Sequence, residues 1–309
     1  MSTLHYSAAP HIHSKNRTTN TMLDVIIALL PATIAGIYYF RLKAIFIILA
    51  CVLTCLASEF LFNLIMKKKQ TIGDLSCVVT GLILALNLST NVKIWQCVVG
   101  SVFAIIVVKC LFGGLGKNIV NPAIAARVMM LLTFASVAGG ANPVTPEITS
   151  GSTPLEGLNA GVNGTYPGLL DLFLGAHGGT IGETCAAAIL VGYVYLVARK
   201  TIKWYVPVAF VGTVFVLYFL TSFNAVYSLS HVLAGGLLFG AIFMATDYVT
   251  TPISNLGRII FCVGCGVITF AIRKYGAFPE GVSISILCMN LLTPIIEKFT
   301  MPKTLGGIK

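Results

Sequence analysis

Charged side chains are scarce in this chain. Asp, Glu, Lys and Arg make up 10% of its 309 residues, whereas soluble domains carry about 25%. Hydrophobic residues make up 57%, and the mean hydropathy is +0.91. This composition excludes an ordinary soluble enzyme. Apolar runs recur from end to end, and a helix that crosses a bilayer needs about 20 such residues, so the sequence predicts an all-α polytopic membrane protein.

Acidic residues are fewer than basic residues, and the formal net charge is +10. The basic residues form short clusters between apolar runs, as in Lys67-Lys68-Lys69, without a basic stripe interleaved with aromatics. This distribution excludes nucleic-acid binding and is typical of the positive-inside rule. With the N-terminus in the cytoplasm, fourteen Lys and Arg fall in cytoplasmic regions and five, including Arg273, in outer loops. Both termini are therefore predicted to be cytoplasmic.

Complete metal and nucleotide motifs are also lacking. Cys262 and Cys265 have metal-ligand spacing but no second pair nearby, so we interpret them as buried apolar residues, with a metal or cluster at a subunit interface as the alternative. The stretch 113–118 resembles a phosphate-binding loop, but the first Gly and the final Ser or Thr of that motif are replaced. No metal site is predicted.

Ten apolar segments are predicted, five on each side of a central loop. We divide the chain into a polar N-terminal segment, a first five-helix repeat, the loop, a second repeat and a cytoplasmic tail: 1–21, 22–139, 140–182, 183–299 and 300–309. Ser76–Gly81 weakly matches Ser230–Gly235. Repeats of five helices are inverted in the membrane and build a central site from short helices. We expect 75–88 and 229–246 to line it, although chance similarity between apolar stretches is an alternative.

The central loop differs in composition from the rest of the chain. Fourteen of the 43 residues in 140–182 are Gly or Pro, and none is Lys or Arg. Such a stretch is predicted to be irregular, and the charge count places it outside the cell. His177 and Glu183 lie among glycines at its end, where backbone N–H groups could bind an anion such as phosphate or simply cap the next helix.

Ionisable residues inside apolar segments point to function, because burying a charge in a membrane is costly. Glu59 lies well inside the second segment, so it needs a polar partner or a proton. Asp247 and Glu183 border the short segments or the loop, and we predict an ion-path or cofactor role for them. Glu280 is interpreted as a helix-entry residue in water. Arg127 is left inside the fifth segment without an assigned role.

Seven stretches in this order resemble one family, the D-type subunit of the Rnf complex, which is the ferredoxin:NAD oxidoreductase of bacterial membranes. More distantly, the chain is similar to the B-type subunit of the sodium-translocating NADH:quinone reductase. The likeness covers nearly the whole length. The stretches that carry it are Ala9–Ser14, Met22–Pro31, Asn118–Ala123, Ser150–Thr153, His177–Thr184, Met244–Asp247 and Tyr275–Val282.

The resemblance implies a covalent flavin. In that family the last Thr of a Ser-Gly-Ala-Thr motif is esterified to the phosphate of FMN by an extracytoplasmic flavin transferase. The matching residue is Thr153, preceded by Gly151 and by Ser152 in place of Ala. The resemblance further implies cofactor contacts from His177 and Asn121 and a second, non-covalent flavin (riboflavin) at the repeat interface.

The implied function is that of a membrane translocase subunit. It would carry electrons through FMN, together with the other Rnf subunits and membrane lipid, and couple ferredoxin/NAD electron transfer to Na⁺ or H⁺ movement in the bacterial plasma membrane. Because the flavin does the chemistry, no catalytic side chain is predicted. A solute transporter or channel with an inverted repeat and no flavin is the main alternative, and a purely structural assembly subunit is the second.

Overall fold

The computed structural model describes residues 18–134, 154–159, 167–276 and 280–301. Within these ranges the chain is all-helical, as predicted, and contains no strand. A 3₁₀ turn at Ile72–Asp74 precedes α2, and α3 and α10 end in π-helical turns. The helices are α1 (Thr18–Ile65), α2 (Ser76–Leu86), α3 (Ile94–Cys110), α4 (Pro122–Thr133), α5 (Pro154–Asn159), α6 (Leu169–Leu174), α7 (Ala186–Ala198), α8 (Tyr205–Ser222), α9 (Ala225–Leu233), α10 (Leu237–Met244), α11 (Asn255–Tyr275) and α12 (Val282–Thr300).

The first helix contains a break where the sequence predicts a boundary. The expected segments 23–40 and 42–66 form the single run α1, but Arg41 inside it has φ 53° and ψ −138°. A positive φ is uncommon outside glycine and is incompatible with a continuous right-handed helix. Arg41 therefore divides α1 into two helical arms.

Four helices are long and apolar enough to cross a membrane, namely α1, α8, α11 and α12, among the residues described. A fifth candidate is the pair α9 and α10, which is bent by 65° at its break. The predicted single segment 229–246 thus begins earlier, at Ala225, and is interrupted at 234–236. Gly235, with φ +70°, permits that interruption.

Four further apolar helices are shorter: α2, α3, α4 and α7 have 10–17 residues each. The predicted segment 75–88 is α2, and the predicted segment from Glu183 begins as a helix only at Ala186. The predicted segment 123–138 corresponds to α4 as far as Thr133, and residues 135–138 lie outside the described residues.

The outer surface of the bundle is apolar. Large hydrophobic side chains are exposed along the helices, among them Ile34, Tyr38, Val194 and Phe299. A soluble protein rarely leaves so much apolar surface in water, whereas lipid accepts it. The surface therefore indicates a membrane protein, while the interior holds the charged groups described below.

Candidate functional site

Helix α4 carries two polar residues into the interior. Asn121 caps its N-terminus, because the side-chain oxygen accepts hydrogen bonds from the N–H groups of Ala123 (3.0 Å) and Ile124 (3.4 Å). Pro122 follows at the first helical position, which suits its missing N–H. Arg127 lies six residues further along, which is about 9 Å of helix rise. The two residues mark two separate polar regions.

Arg127 belongs to a cluster of four charged residues, in which Arg127, Arg273 and Glu183 are buried and Glu280 is partly buried. Its guanidinium donates through Nη2 to Oε2 of Glu280 and is only 1% exposed. Arg273, 2% exposed, donates to the carbonyl oxygens of His231 (2.6 Å) and Ala234 (3.3 Å). Glu183 is 5% exposed. Buried charges require such partners, so the cluster is a built polar site.

The break between α9 and α10 lies against this cluster. The N–H of Gly236 donates to Oε1 of Glu280 at 2.7 Å. A Cβ atom at Gly236 would collide with the carboxyl oxygens of both Glu183 and Glu280. The interrupted helix therefore exposes a backbone donor to the carboxyl groups, and glycine leaves room for them.

The connection between α6 and α7 brings Glu183 into the interior. Gly175 has φ +97° and ends α6. The N–H of Ile181 then donates to the carbonyl of Leu88 (3.1 Å), and the N–H of Gly182 donates to that of Leu86 (2.7 Å). These bonds satisfy carbonyls at the end of the short helix α2, which lipid could not do. Glu183 is consequently held next to the end of α2.

His177 lies within the same connection, outside the membrane-spanning helices. Its Nδ1 lies 3.0 Å from the carbonyl oxygen of Gly178, and the ring is buried. Burial lowers the pKa of His177 below its ordinary value, because desolvation disfavours the charged imidazolium. Burial at this position therefore favours the neutral imidazole, and the predicted contact of His177 with a cofactor stays a prediction.

The second polar region is a cleft next to the start of α1. Asp247 follows the π-helical end of α10, and its Oδ2 lies 3.4 Å from Nδ2 of Asn121 and 3.2 Å from the hydroxyl of Thr250. The cleft holds about 740 Å³ of space, its open mouth included. Apolar side chains, Val79 and Phe243 among them, form much of the wall.

A buried ion pair borders this cleft. Lys109, in the π-helical part of α3, donates to Oε2 of Glu59 (2.6 Å) and to the hydroxyl of Ser76 (2.6 Å). Thr71 donates to the other oxygen of Glu59 at 2.5 Å. Glu59 thus has the polar partner that its position in an apolar segment requires.

Comparison with known proteins identifies the family. Residues 5–306 match the family model described as NQR2, RnfD, RnfE. The chain belongs to the NQR2, RnfD, RnfE family. It is 44% identical over 307 residues to the D-type subunit of the Na⁺-translocating ferredoxin:NAD⁺ oxidoreductase complex of Acetobacterium woodii, a match that covers 98% of this chain and 95% of that protein. The expected resemblance to the D-type Rnf subunit is confirmed.

Other relatives of the NQR2, RnfD, RnfE family differ in the ion that they are named for. The D-type subunit of the proton-translocating ferredoxin:NAD⁺ oxidoreductase complex of Clostridium ljungdahlii is 35% identical over 318 residues, covering 97% of this chain and 95% of that protein. The D-type subunit of the ion-translocating oxidoreductase complex of Stutzerimonas stutzeri is 36% identical over 327 residues, covering 92% and 91%. Family membership alone therefore leaves the ion open.

The structure separates the predicted site residues of this family member into two groups. Asn121 and Asp247 meet in the cleft, whereas Glu183 lies in the charged cluster. Gly151, Ser152 and Thr153 lie outside the described residues, so their flavin role stays a prediction.

For three members of the cluster, the role predicted from the sequence was wrong or no role was predicted. Glu280 is not a helix-entry residue in water, because its carboxylate is bound by Arg127 and Gly236. Arg273 was counted with the outer loops, but it is buried at the end of α11 against backbone carbonyls. One feature of the sequence could have revealed the cluster, namely Arg127, a single cation within an apolar segment. Such residues are rare in membranes unless they have a function.

Proposed function

We propose that the chain is the D-type membrane subunit of an Rnf-type complex, a translocase that couples electron transfer between ferredoxin and NAD to ion movement. The observation that carries this proposal is the full-length family match, with relatives named as subunits of ferredoxin:NAD⁺ oxidoreductase complexes. The buried charged cluster and the apolar exterior support it, because a membrane interior retains ionisable groups mainly on ion or proton pathways. The other Rnf subunits are its partners.

The electron carrier in this proposal is FMN bonded through its phosphate to Thr153 by a flavin transferase. The adjacent helix α5, Pro154–Asn159, supports a role close to the cluster. Leu155 lies beside Gly235, together with Nη2 of Arg273, and Tyr227 of α9 donates to the carbonyl of Leu158 at 3.0 Å. A flavin attached one residue before α5 would be anchored to the bundle next to these charges. The flavin would supply the one- and two-electron chemistry.

Fluorescence on a denaturing gel tests the covalent flavin. The chain, produced together with a flavin transferase, should give a fluorescent band near its mass of 32.8 kDa. The band should disappear in Thr153→Ala and persist in the matched control Thr149→Ala from the same loop. A colourless wild-type band would instead favour the solute transporter or channel. Retained electron transfer in Thr153→Ala would favour an assembly subunit.

The cleft lined by Asn121 and Asp247 is the proposed place for the second, non-covalent flavin. Its apolar walls suit an isoalloxazine ring, and polar residues of the lining, Asn118, Asn121 and Thr80 among them, would orient a bound cofactor. Riboflavin released from the purified complex by denaturation should therefore match this polypeptide in amount. Asn121→Ser, which retains an N-cap oxygen, should lower that amount, whereas Thr149→Ala should not.

Asp247 and Glu183 are the proposed ion path, at the cleft and the cluster respectively. Their positions support a route with two ion-binding positions. Helix α4 connects the two, because Asn121 at its start contacts Asp247 in the cleft and Arg127 within it belongs to the cluster. Ion uptake into vesicles, followed with ²²Na⁺ and with a pH indicator, would identify the ion. Asp247→Ala and Glu183→Ala should both impair uptake, and unchanged uptake in both would discard this route.

The proposed topology has ten segments in two inverted repeats of five, with cytoplasmic termini, an outer flavin loop and a bacterial plasma-membrane location. The break at Arg41 supports the count, since the two arms of α1, the bent pair α9–α10 and the seven other helices outside α5 and α6 make ten. Accessibility labelling of single cysteines placed at Ser14 and at Asn163 would test the orientation. Ser14 should react only from the cytoplasm and Asn163 only from outside.

A further inference from the structure

Four charged side chains from four different parts of the chain meet around the break between α9 and α10. Arg127 comes from α4 and Arg273 from α11, while Glu183 precedes α7 and Glu280 precedes α12. Arg127 contacts Glu280, and both carboxyl groups crowd Gly236. The four residues form one cluster, and its members are held in place by backbone as well as side-chain partners.

The two carboxyl groups of the cluster face each other across Gly236, because a Cβ atom there would lie 2.4 Å from Oε1 of Glu183 and 2.5 Å from Oε1 of Glu280. Two ionised carboxylates have no hydrogen to donate and repel each other, and one proton on the pair removes that repulsion. Without the proton, the two carboxylates balance the two guanidinium charges. With the proton, the cluster carries one positive charge.

We propose that Glu183 and Glu280 form a proton-binding site that takes up one proton from water when an electron reaches this polypeptide and releases it when the electron leaves. This inference rests on the proposed electron-carrier function. In the uptake step a carboxylate oxygen of the pair forms an O–H bond with a proton from hydronium, and water remains. No electron moves to the pair, and its added positive charge balances the electron that arrives nearby.

The carboxyl pair is the part of the cluster that can change charge. Arg127 and Arg273 keep their protons, because a guanidinium does not titrate in proteins. His231 of α9 stacks on Tyr218 at 3.7 Å, and neither ring nitrogen has a hydrogen-bond partner among the described residues. The charge of Arg273, bound to the His231 carbonyl, opposes a second positive charge there. Among the four members of the cluster, Glu183 and Glu280 are therefore the ones that can gain or lose a proton.

The cluster is also placed to respond to charge on the central loop. A Cβ atom at Gly235 would lie 3.2 Å from Leu155, 3.3 Å from Nη2 of Arg273 and 3.7 Å from Oε1 of Glu280. Leu155 is two residues from Thr153 in the sequence. Both buried guanidinium groups keep N–H groups without a hydrogen-bond partner among the residues described, namely Nε and Nη1 of Arg127 and Nε of Arg273. An electron on a group bound at Thr153 would be felt strongly in this low-dielectric surrounding.

Glu280 is the more accessible member of the pair. The side chain of Glu280 is 19% exposed, whereas Glu183 is 5% exposed. In the proposed site Glu280 exchanges the proton with water, and Glu183 shares it inside. This arrangement distinguishes a proton site from a closed structural ion pair, which has no route to solvent.

Redox-induced infrared difference spectroscopy of the purified complex tests the inference. Reduction should produce a C=O band of a protonated carboxyl that shifts in D₂O. The band should be lost in Glu183→Gln and in Glu280→Gln and should persist in Asp171→Asn, a control on the exposed helix α6. A wild-type complex containing ¹³C-labelled Glu should show the band at lower frequency, which tests the same point without any substitution.

Several outcomes would overturn the proton site. They are a wild-type spectrum without the band, a band that persists in both Gln variants, and a band that responds to Na⁺ but not to D₂O. The gel fluorescence test separates this failure from failure of the proposed function. If the Thr153 band is fluorescent and the infrared band is missing, electron carriage stands and the proton site is wrong.

Discussion

Arg127 and Glu280 are 153 residues apart in the sequence and form a charged hydrogen bond in the interior of the bundle. The pair links α4 to a residue two positions before α12, and the N–H of Gly236 adds a second connection, from the broken helix. The pair is strongly coupled to stability, because Arg127 is 1% exposed and Glu280 is 19% exposed, so removal of one partner leaves the other largely desolvated and without its counter-charge.

Arg127→Ala should therefore destabilise the protein by about 3–5 kcal/mol, since it leaves the Glu280 carboxylate without its guanidinium. Arg199→Ala is the matched control: Arg199 also pairs with a carboxylate, that of Asp24, but its side chain is 56% exposed. The control substitution should lower the free energy of unfolding by about 0–1 kcal/mol. Thermal melting of the detergent-solubilised protein measures both, and equal losses would contradict the importance of burial.

Gly236→Ala should lower the melting temperature, because the added methyl group collides with both carboxyl groups. Overpacking of this kind costs about 1–3 kcal/mol. Gly212→Ala on α8 has nothing within 4 Å of the new methyl group. That control should raise stability slightly, since Ala exceeds Gly in helix propensity by about 0.8–1.0 kcal/mol. A harmless Gly236→Ala would mean that the carboxyl groups are free to move apart.

Lys109→Met should destabilise the protein more than the double variant Lys109→Met/Glu59→Leu. The single change leaves a buried carboxylate without its ammonium partner, at a cost of about 3–5 kcal/mol, whereas removal of both charges is nearly neutral for many buried pairs. A double-mutant cycle in thermal melting gives the coupling energy. Additive losses would show that the 2.6 Å contact between Lys109 and Glu59 contributes no coupling.

Acidification should weaken the connection between α6 and α7 through His177. The folded protein holds this residue with a lowered pKa, so the unfolded chain binds more protons there and stability rises with pH. The loss should begin as the pH falls through the unfolded value of about 6.5 and end below the lowered folded value. Melting temperatures at pH 8 and pH 5 should differ less in His177→Gln than in wild type. An unchanged difference would assign the pH effect to other groups.

The sequence predicted those parts of the fold that depend on local composition. Segment positions follow from apolar length, and the break at Arg41 coincides with the expected boundary between two segments. Glu59 was expected to need a polar partner because of its position, and Lys109 provides it. The interruption of 229–246 was missed, although Gly235-Gly236 marks it, because apolar residues continue on both sides.

The charged cluster could not be predicted from the sequence in the same way. Arg127 and Glu280 belong to different halves, and no local pattern specifies which of several buried or loop charges will meet. Asp247 and Glu183 were expected to share a role, but they lie in different regions, because Glu183 is drawn to the end of α2 by backbone hydrogen bonds of its neighbours. Pairings of this kind depend on tertiary packing.

The bonds from Ile181 and Gly182 to the carbonyls of Leu88 and Leu86 also constrain how the chain is made. The ribosome delivers α2 roughly ninety residues before the segment that completes its hydrogen bonds. During synthesis the carbonyls of Leu86 and Leu88 therefore lack these two donors until the connection before α7 has been made. The final hydrogen bonding at the end of α2 thus depends on a segment that is synthesised later.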